Sequence, residues 1–266
     1  MSHSTTRAFD QARAEGRAAL VGYLPAGFPD VAGGIDAIKV MVENGCDAIE
    51  VGLPYSDPVM DGPTIQAAAQ QALEQGVRTR DVLRTVEAVA ATGAPTLVMT
   101  YWNPVERYGV DRFAADLASA GGAGLITPDL VPDEATGWIA AADAHDLDKV
   151  FLVSPSSTDA RLAMTTAACR GFVYATAVMG VTGARESTSE LAAPLVERTK
   201  KVTDLPVAVG LGVSNGDQAA EVARHADGVI VGSAFVRVLL DAPDRTTGLE
   251  ALADLTRDLA DGVRRA

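Results

Sequence analysis

The stretch from Asp47 to Gln66, DAIEVGLPYSDPVMDGPTIQ, decides the fold and points to the chemistry. Its opening residues alternate, with Ala48, Glu50 and Gly52 on one face of a strand and Ile49, Val51 and Leu53 on the other. The larger apolar face suits packing outward on helices. Glu50 then points to the opposite side, between two small residues that leave room for a ligand beside its carboxylate. Burial disfavours the charged form of such a group and raises its pKa toward the range a proton-transfer residue needs near neutrality. No basic residue lies between Lys39 and Arg78 to neutralise it locally, so a structural ion pair would need a cation from elsewhere in the chain. The loop that follows is dense in Pro, Ser, Asp and Gly, the composition of a functional loop, and it carries a second carboxylate, Asp61.

The same kind of strand recurs along the chain. The eight runs are ALVGYLPAG from Ala19, DAIEVGLP from Asp47, PTLVMTYW from Pro95, AGLITPDL from Ala123, KVFLVSP from Lys149, GFVYATAV from Gly171, LPVAVGLG from Leu205 and DGVIVGSAF from Asp227. Each is followed by a helical pattern, such as the stripe Val31, Ile35, Ile38 and Val42, or the pairs Phe113 with Leu117 and Leu191 with Leu195. Asp30, Thr79, Asp111, Asp133, Thr158, Ser189 and Asn215 are candidate N-caps, and Gly45, Gly93 and Gly121 sit where helices should stop. Strict alternation implies a parallel sheet, and eight units imply an α/β fold of the (β/α)8 TIM barrel type rather than an open sheet. No low-complexity linker divides the chain. The expected organisation is a single barrel domain over residues 1–266, with a short polar N-terminal extension of about eight residues. In such a barrel the active site forms at the carboxyl ends of the strands.

Charge narrows the partners. With 22 basic and 35 acidic residues the formal charge is −13, which argues against nucleic acid or an anionic membrane. A phosphorylated small molecule is still compatible, because backbone amides hold phosphate without cations. Cys46 and Cys169 lack metal or redox spacing and read as small packing residues. The polar N-terminus has no signal-peptide core and no apolar run reaches 18 residues, so a cytoplasmic protein is expected. His3, His145 and His225 are isolated and read as exposed, and Trp102 and Trp138 are undiagnostic.

Glycine-bearing segments follow strands six, seven and eight: GVTGAR from Gly180, GLGVSNG from Gly210 and GSAF from Gly232. Phosphate-binding barrels use the loops after strands seven and eight, where free N–H groups at a helix N-terminus face the anion. Gly183, Gly212, Gly232 and Ser233 are therefore the phosphate candidates. GLGVSNG differs from a dinucleotide fingerprint: its third glycine comes one residue late and no ribose-binding acid ends the next strand. A nicotinamide cofactor is rejected on that ground.

These residues together carry a specific resemblance. IEVGLPYSDPVMDGPTIQ, with GYLPAGFPD, MTYWNP, GLITPDLVPDE, the VTG of GVTGAR and VGSAF in that order, resembles the alpha subunit of tryptophan synthase from about Phe9 to Leu259. The resemblance implies retro-aldol cleavage of indole-3-glycerol phosphate to indole and D-glyceraldehyde 3-phosphate. It also implies a beta subunit that takes the indole, an alpha2beta2 complex, no metal or cofactor in this chain, and pyridoxal phosphate only in the partner. By position, Glu50 and Asp61 match the catalytic carboxylates, and Tyr174, Thr182 and Tyr101 match residues near the substrate. Gly183, Gly212, Gly232 and Ser233 match the phosphate cradle, while Asp57, Pro58 and Asn103 match loop positions facing the beta subunit. The chain departs from the family at Ala177, Val178 and Met179, before VTG, where many members carry a Ser-Arg pair.

The resemblance assigns Glu50 the proton transfers and Asp61, kept ionised, the stabilisation of positive charge on the indole. Tyr174, on the same face as Phe172 and Thr176, reads as substrate wall or core. Thr182 orients Asp61 or shapes a turn, and Asp129 is a cap or a loop-closing residue. Tyr55, Pro58, Val59 and Met60 give the loop after strand two the apolar content of an interface or a lid. Fold alone also admits a sugar-phosphate isomerase, a stand-alone indole-producing lyase, or a mainly regulatory subunit.

Overall fold

Runs of Val, Ile and Leu short enough for strands, buried on both faces, pair in parallel only when helices cover the outside. The computed structural model describes residues 4–176, 188–210 and 212–266. Its elements, in chain order, are α1 (Thr6–Ala14), β1 (Ala19–Pro25), α2 (Val31–Glu43), β2 (Ala48–Gly52), α3 (Pro63–Glu74), α4 (Thr79–Ala90), β3 (Thr96–Met99), α5 (Trp102–Tyr108), α6 (Val110–Ser119), β4 (Gly124–Thr127) and α7 (Thr136–Ala144). There follow β5 (Asp148–Val153), α8 (Asp159–Ala168), β6 (Val173–Thr176), α9 (Thr188–Lys200), β7 (Val207–Gly210), α10 (Gly216–Ala223), β8 (Gly228–Val231), α11 (Ser233–Asp241) and α12 (Arg245–Arg264). The strands close into a barrel in sequence order, with Ala19 of β1 paired in parallel to Gly228 of β8. All eight expected strands are present, seven of them shorter than the expected runs within their bounds, while β5 starts one residue early, at Asp148, and ends at Val153.

Alternation sorts the side chains as expected. Leu20, Ile49, Val98, Leu125, Phe151 and Val229 face the helices, and Val21, Leu97, Ile126, Val150, Phe172 and Ile230 fill the interior. The helical layer is richer than one helix per strand. Two helices follow each of β2, β3 and β8, and α1 precedes the first strand. The α5–α6 break has a local cause: Gly109 takes φ 97°, a left-handed value that ends one helix and starts the next. The α2 stripe also shifts, for its fully buried residues are Gly33, Gly34, Ala37, Ile38 and Met41, with Val31, Ile35 and Val42 at the margins.

Asp30, Thr158 and Asn215 cap their helices, accepting the amides of Gly33, Arg161 and Gln218. The other cap expectations are corrected. Thr79 is the first residue of α4, whose cap position is Arg78, with its amide donating to Asp81 at 2.9 Å. Asp111 lies inside the first turn of α6, Asp133 in a short 3-10 turn where it pairs with Arg161, and Ser189 inside the first turn of α9.

The expected polar extension is also shorter than the sequence suggested, because its polar atoms have a buried partner. Thr5 is fully buried and donates both its N–H and its hydroxyl to Asp148 at 2.7 Å, and the Ser4 hydroxyl reaches the same carboxylate at 2.9 Å. That anchor lays α1 across the amino end of the barrel. Phe9 then enters the interior with its ring 5.1 Å from that of Phe172, and lies so close to Gly228 that a Cβ there would be 2.7 Å from it.

Phe9→Ala should leave a void under the barrel and cost about 3 to 5 kcal/mol, read as a lower urea midpoint with an unchanged m value. An unaltered midpoint would mean that α1 is only draped on the surface.

Candidate active site

Glu50 sits in the middle of β2 on its inward face and is completely buried. Neither Oε1 nor Oε2 has a hydrogen-bond partner among the described residues, and none of the observed ion pairs includes it. Removal from water alone pushes its carboxyl up to about 8. The structural alternative of a buried ion pair is therefore not realised among the described residues, and burial favours the protonated form of Glu50.

Asp61 comes from the loop that leaves the same strand, which is held at three points. Leu53 N–H donates to the Met99 carbonyl at 2.9 Å, Met60 N–H donates to the Tyr101 hydroxyl at 2.9 Å, and Gln66 Nε2 donates to the Asp61 carbonyl at 2.7 Å. Gly62 then caps α3, with Pro63 at its first position. Burial raises the Asp61 carboxyl, and the Tyr101 hydroxyl facing it works in the opposite direction. Both carboxyls are thus shifted upward, but only Asp61 has a neighbour that favours its ionised form.

Two more phenols complete the chamber. Tyr174 lies on β6 and Tyr23 on β1, where Tyr23 is the register partner of Glu50. Burial raises both hydroxyls well above their ordinary value, helped at Tyr23 by Asp61 and then Glu50 and at Tyr174 by Glu50 and then Asp61, so both stay protonated. Each needs a glycine opposite: a Cβ on Gly52 would lie 2.3 Å from the Tyr23 hydroxyl oxygen, and one on Gly210 would lie 2.3 Å from that of Tyr174. This corrects the expectation that Gly52 leaves space for a ligand beside Glu50, because Tyr23 occupies it. Sequence reading missed Tyr23. Alternation could have placed it on the face of Val21, but the inter-strand register that sets it against Glu50 is not written in either strand alone.

At the carboxyl ends of the last two strands, Gly212 is exposed with φ 69° and has nothing within 4 Å of a Cβ position. Gly232 occupies the cap position of α11 and Ser233 its first turn, where helix N–H groups have no intrahelical partner. Gly232 also backs the ring of Tyr23, its Cβ position being 3.1 Å from Cδ1. Tyr23 therefore lies between Gly232 and Gly52. Thr182 and Gly183 lie outside the described residues, as do Ala177, Val178 and Met179.

The rim is aromatic and partly apolar. Asn103 is exposed and donates to the Tyr55 hydroxyl at 3.1 Å, and the Tyr55 ring stacks 5.4 Å from that of Tyr101. Asp57 is exposed and Pro58 half-buried, while Val59 is 73% exposed and Met60 37%. Tyr101 itself is buried and its hydroxyl is engaged with this loop. Asp129 accepts the Trp102 N–H on both carboxylate oxygens, at 2.9 and 3.1 Å, so its observed role is to cap α5. His145 and His225 are exposed, Trp138 is core, and Cys46 is buried with its thiol pushed up by desolvation. No group of three or more His, Cys, Asp or Glu among the described residues is placed to hold a metal ion.

The arrangement places two carboxyls and the N-terminus of α11 at the carboxyl ends of the strands, and the chain as a whole is similar to known proteins. The family model described as tryptophan synthase alpha chain matches residues 9–264. The tryptophan synthase alpha chain of Salinispora tropica is 67% identical over 257 residues, covering 97% of this chain and 96% of that protein. That of Thermobifida fusca is 62% identical over 263 residues, covering 98% and 97%. Among solved structures, Mycobacterium tuberculosis tryptophan synthase aligns with a TM-score of 0.92 at 58% identity, covering 99% of each chain. The alpha subunit from Legionella pneumophila aligns at 0.90 with only 30% identity, covering 100% of both.

The Glu50 carboxyl carries a signature in stability. Its ordinary value is 4.5 and in the folded chain it holds its proton to about 8, so between these limits the folded state binds more protons than the unfolded one. Stability from this group is present below 4.5 and is lost as pH rises through 8. Glu50→Gln should therefore gain on the parent by up to about 1.4 kcal/mol per pH unit across that window. Urea midpoints of the two proteins at pH 5, 6.5 and 8 test this, and curves that run parallel would show that Glu50 is not held neutral.

Proposed function

The chain belongs to the tryptophan synthase alpha chain family, and from that membership we propose that Glu50 and Asp61 are the groups that perform its reaction. The enzyme is a lyase of tryptophan biosynthesis. It splits indole-3-glycerol phosphate into indole and D-glyceraldehyde 3-phosphate, and the indole passes to the beta subunit of an alpha2beta2 heterotetramer. The observation that carries our assignment is a fully buried carboxyl with no partner, at the mouth where a second carboxylate arrives on a loop.

Held as the neutral acid at pH 7, Glu50 gives its proton to C3 of the indole ring, which leaves the ring cationic. Asp61 faces the ring N–H and stabilises that charge. The carboxylate left on Glu50 takes the proton of the side-chain hydroxyl next to the ring. The carbon–carbon bond then breaks, its electrons return to the ring as indole forms, and the hydroxyl carbon becomes the aldehyde of D-glyceraldehyde 3-phosphate. One residue thus ends the cycle as it began.

In this reading Tyr174, Tyr101 and Thr182 surround the substrate, and Gly183, Gly212, Gly232 and Ser233 hold its phosphate through backbone N–H groups and the α11 terminus. Asp57, Pro58 and Asn103, with the exposed Val59 and Met60, face the beta subunit. Both proton transfers lie within the reach of two carboxyls, so we assign no cofactor to this chain and leave pyridoxal phosphate to its partner. No helix of the described residues is long and apolar enough to cross a membrane, and we place the reaction in the cytoplasm.

Indole release from indole-3-glycerol phosphate should be slow for the chain alone and rise strongly with a cognate beta subunit. Glu50→Gln should lose at least about 100-fold in kcat. A near-parental rate for that variant would sink the Glu50 assignment. Asp61→Asn should keep KM within a few-fold while kcat drops, and an unchanged kcat would remove its electrostatic role.

A further inference from the structure

Three described phenols share the chamber with Glu50, and they are committed differently. The Tyr101 hydroxyl accepts the Met60 N–H and faces Asp61. The Tyr174 hydroxyl leans over Gly210, toward β7. The Tyr23 hydroxyl leans over Gly52, onto the strand of Glu50 itself, one inward-facing position beyond it. Tyr23 and Glu50 are register partners on adjacent strands, about 4.8 Å apart at the backbone, so their side chains rise along one another. The wall on the other side of Glu50 is apolar: its partner on β3 is Leu97, followed inward by Met99. The titratable neighbours are therefore Tyr23 from β1, Tyr174 from β6, Asp61 from the loop after β2 and Tyr101 after β3.

Resting on the assignment of Glu50 above, we propose that Tyr23 is a positioning residue of the cleavage: its phenol hydrogen-bonds the Glu50 carboxylate once the acid has given up its proton, and holds it toward the substrate hydroxyl. The resting acid needs no such bond and makes none. Among the described phenols, Tyr23 is the one whose hydroxyl leans onto the strand of Glu50, and a bond to a charged group is the stronger kind. Gly52 and Gly232 make room for the phenol, since a side chain at either would collide with the Tyr23 ring or press on it.

Tyr23→Phe keeps the ring against both glycines and removes only the hydroxyl. Loss of a bond that favours the ionised form moves the Glu50 midpoint upward, by about half to one pH unit. Titration of the Glu50 carboxyl infrared band, identified by its absence in Glu50→Gln, reads this in resting protein without substrate. In the complex with the beta subunit, kcat should fall roughly three- to tenfold with KM within about twofold. An unmoved infrared midpoint, a rise in KM alone, or a shifted midpoint with kcat intact would each overturn the role. If the parental protein released no indole, the functional reading would fall and this role with it, even if the midpoint still moved.

Discussion

A closed barrel of parallel strands turns every second side chain into a space that water leaves, and everything else here follows from what is placed there. Over most of its depth the interior is filled by Val21, Leu97, Ile126, Val150, Phe172 and Ile230. Near the carboxyl ends the filling changes to Glu50, Tyr23 and Tyr174, with glycines at 52, 210 and 232. The two large phenols are admitted only because three positions have no side chain at all. The same constraint gives Glu50 its chemistry, for a buried acid with no hydrogen-bond or ion-pair partner among the described residues has its carboxyl pushed up to about 8.

Asp61 differs by origin rather than by residue type. It sits on a loop and not on a strand, so its surroundings are assembled from several directions, by Tyr101 from beyond β3 and by Gln66 from α3. Two carboxyls eleven positions apart in sequence thus meet different environments, one without a hydrogen-bond partner among the described residues and one facing the Tyr101 hydroxyl. That asymmetry is what lets one act as a proton carrier and the other as a fixed countercharge.

Much of this was legible in the chain. Strand alternation around Glu50, repeated eight times with helical stripes between, leads to the barrel, and the lack of a nearby base points to an unpaired acid. What escaped depends on contacts between distant segments. The register that sets Tyr23 against Glu50 is fixed only when β1 and β2 pair, and neither strand carries it alone. Ser4 and Thr5 look like a solvated tail until Asp148, far along the chain, receives them. Asp129 could have been a cap or a loop latch, and only the position of the Trp102 amide decides for the cap. Local caps such as Thr79 and Asp111 failed by a residue or two because Arg78 and Gly109 hold the cap positions.

The helix at the amino end has a bearing on traffic through the molecule. With Phe9 stoppering the barrel from below, the chamber is a cul-de-sac rather than a corridor. Whatever enters at the carboxyl ends of the strands must leave at that same end.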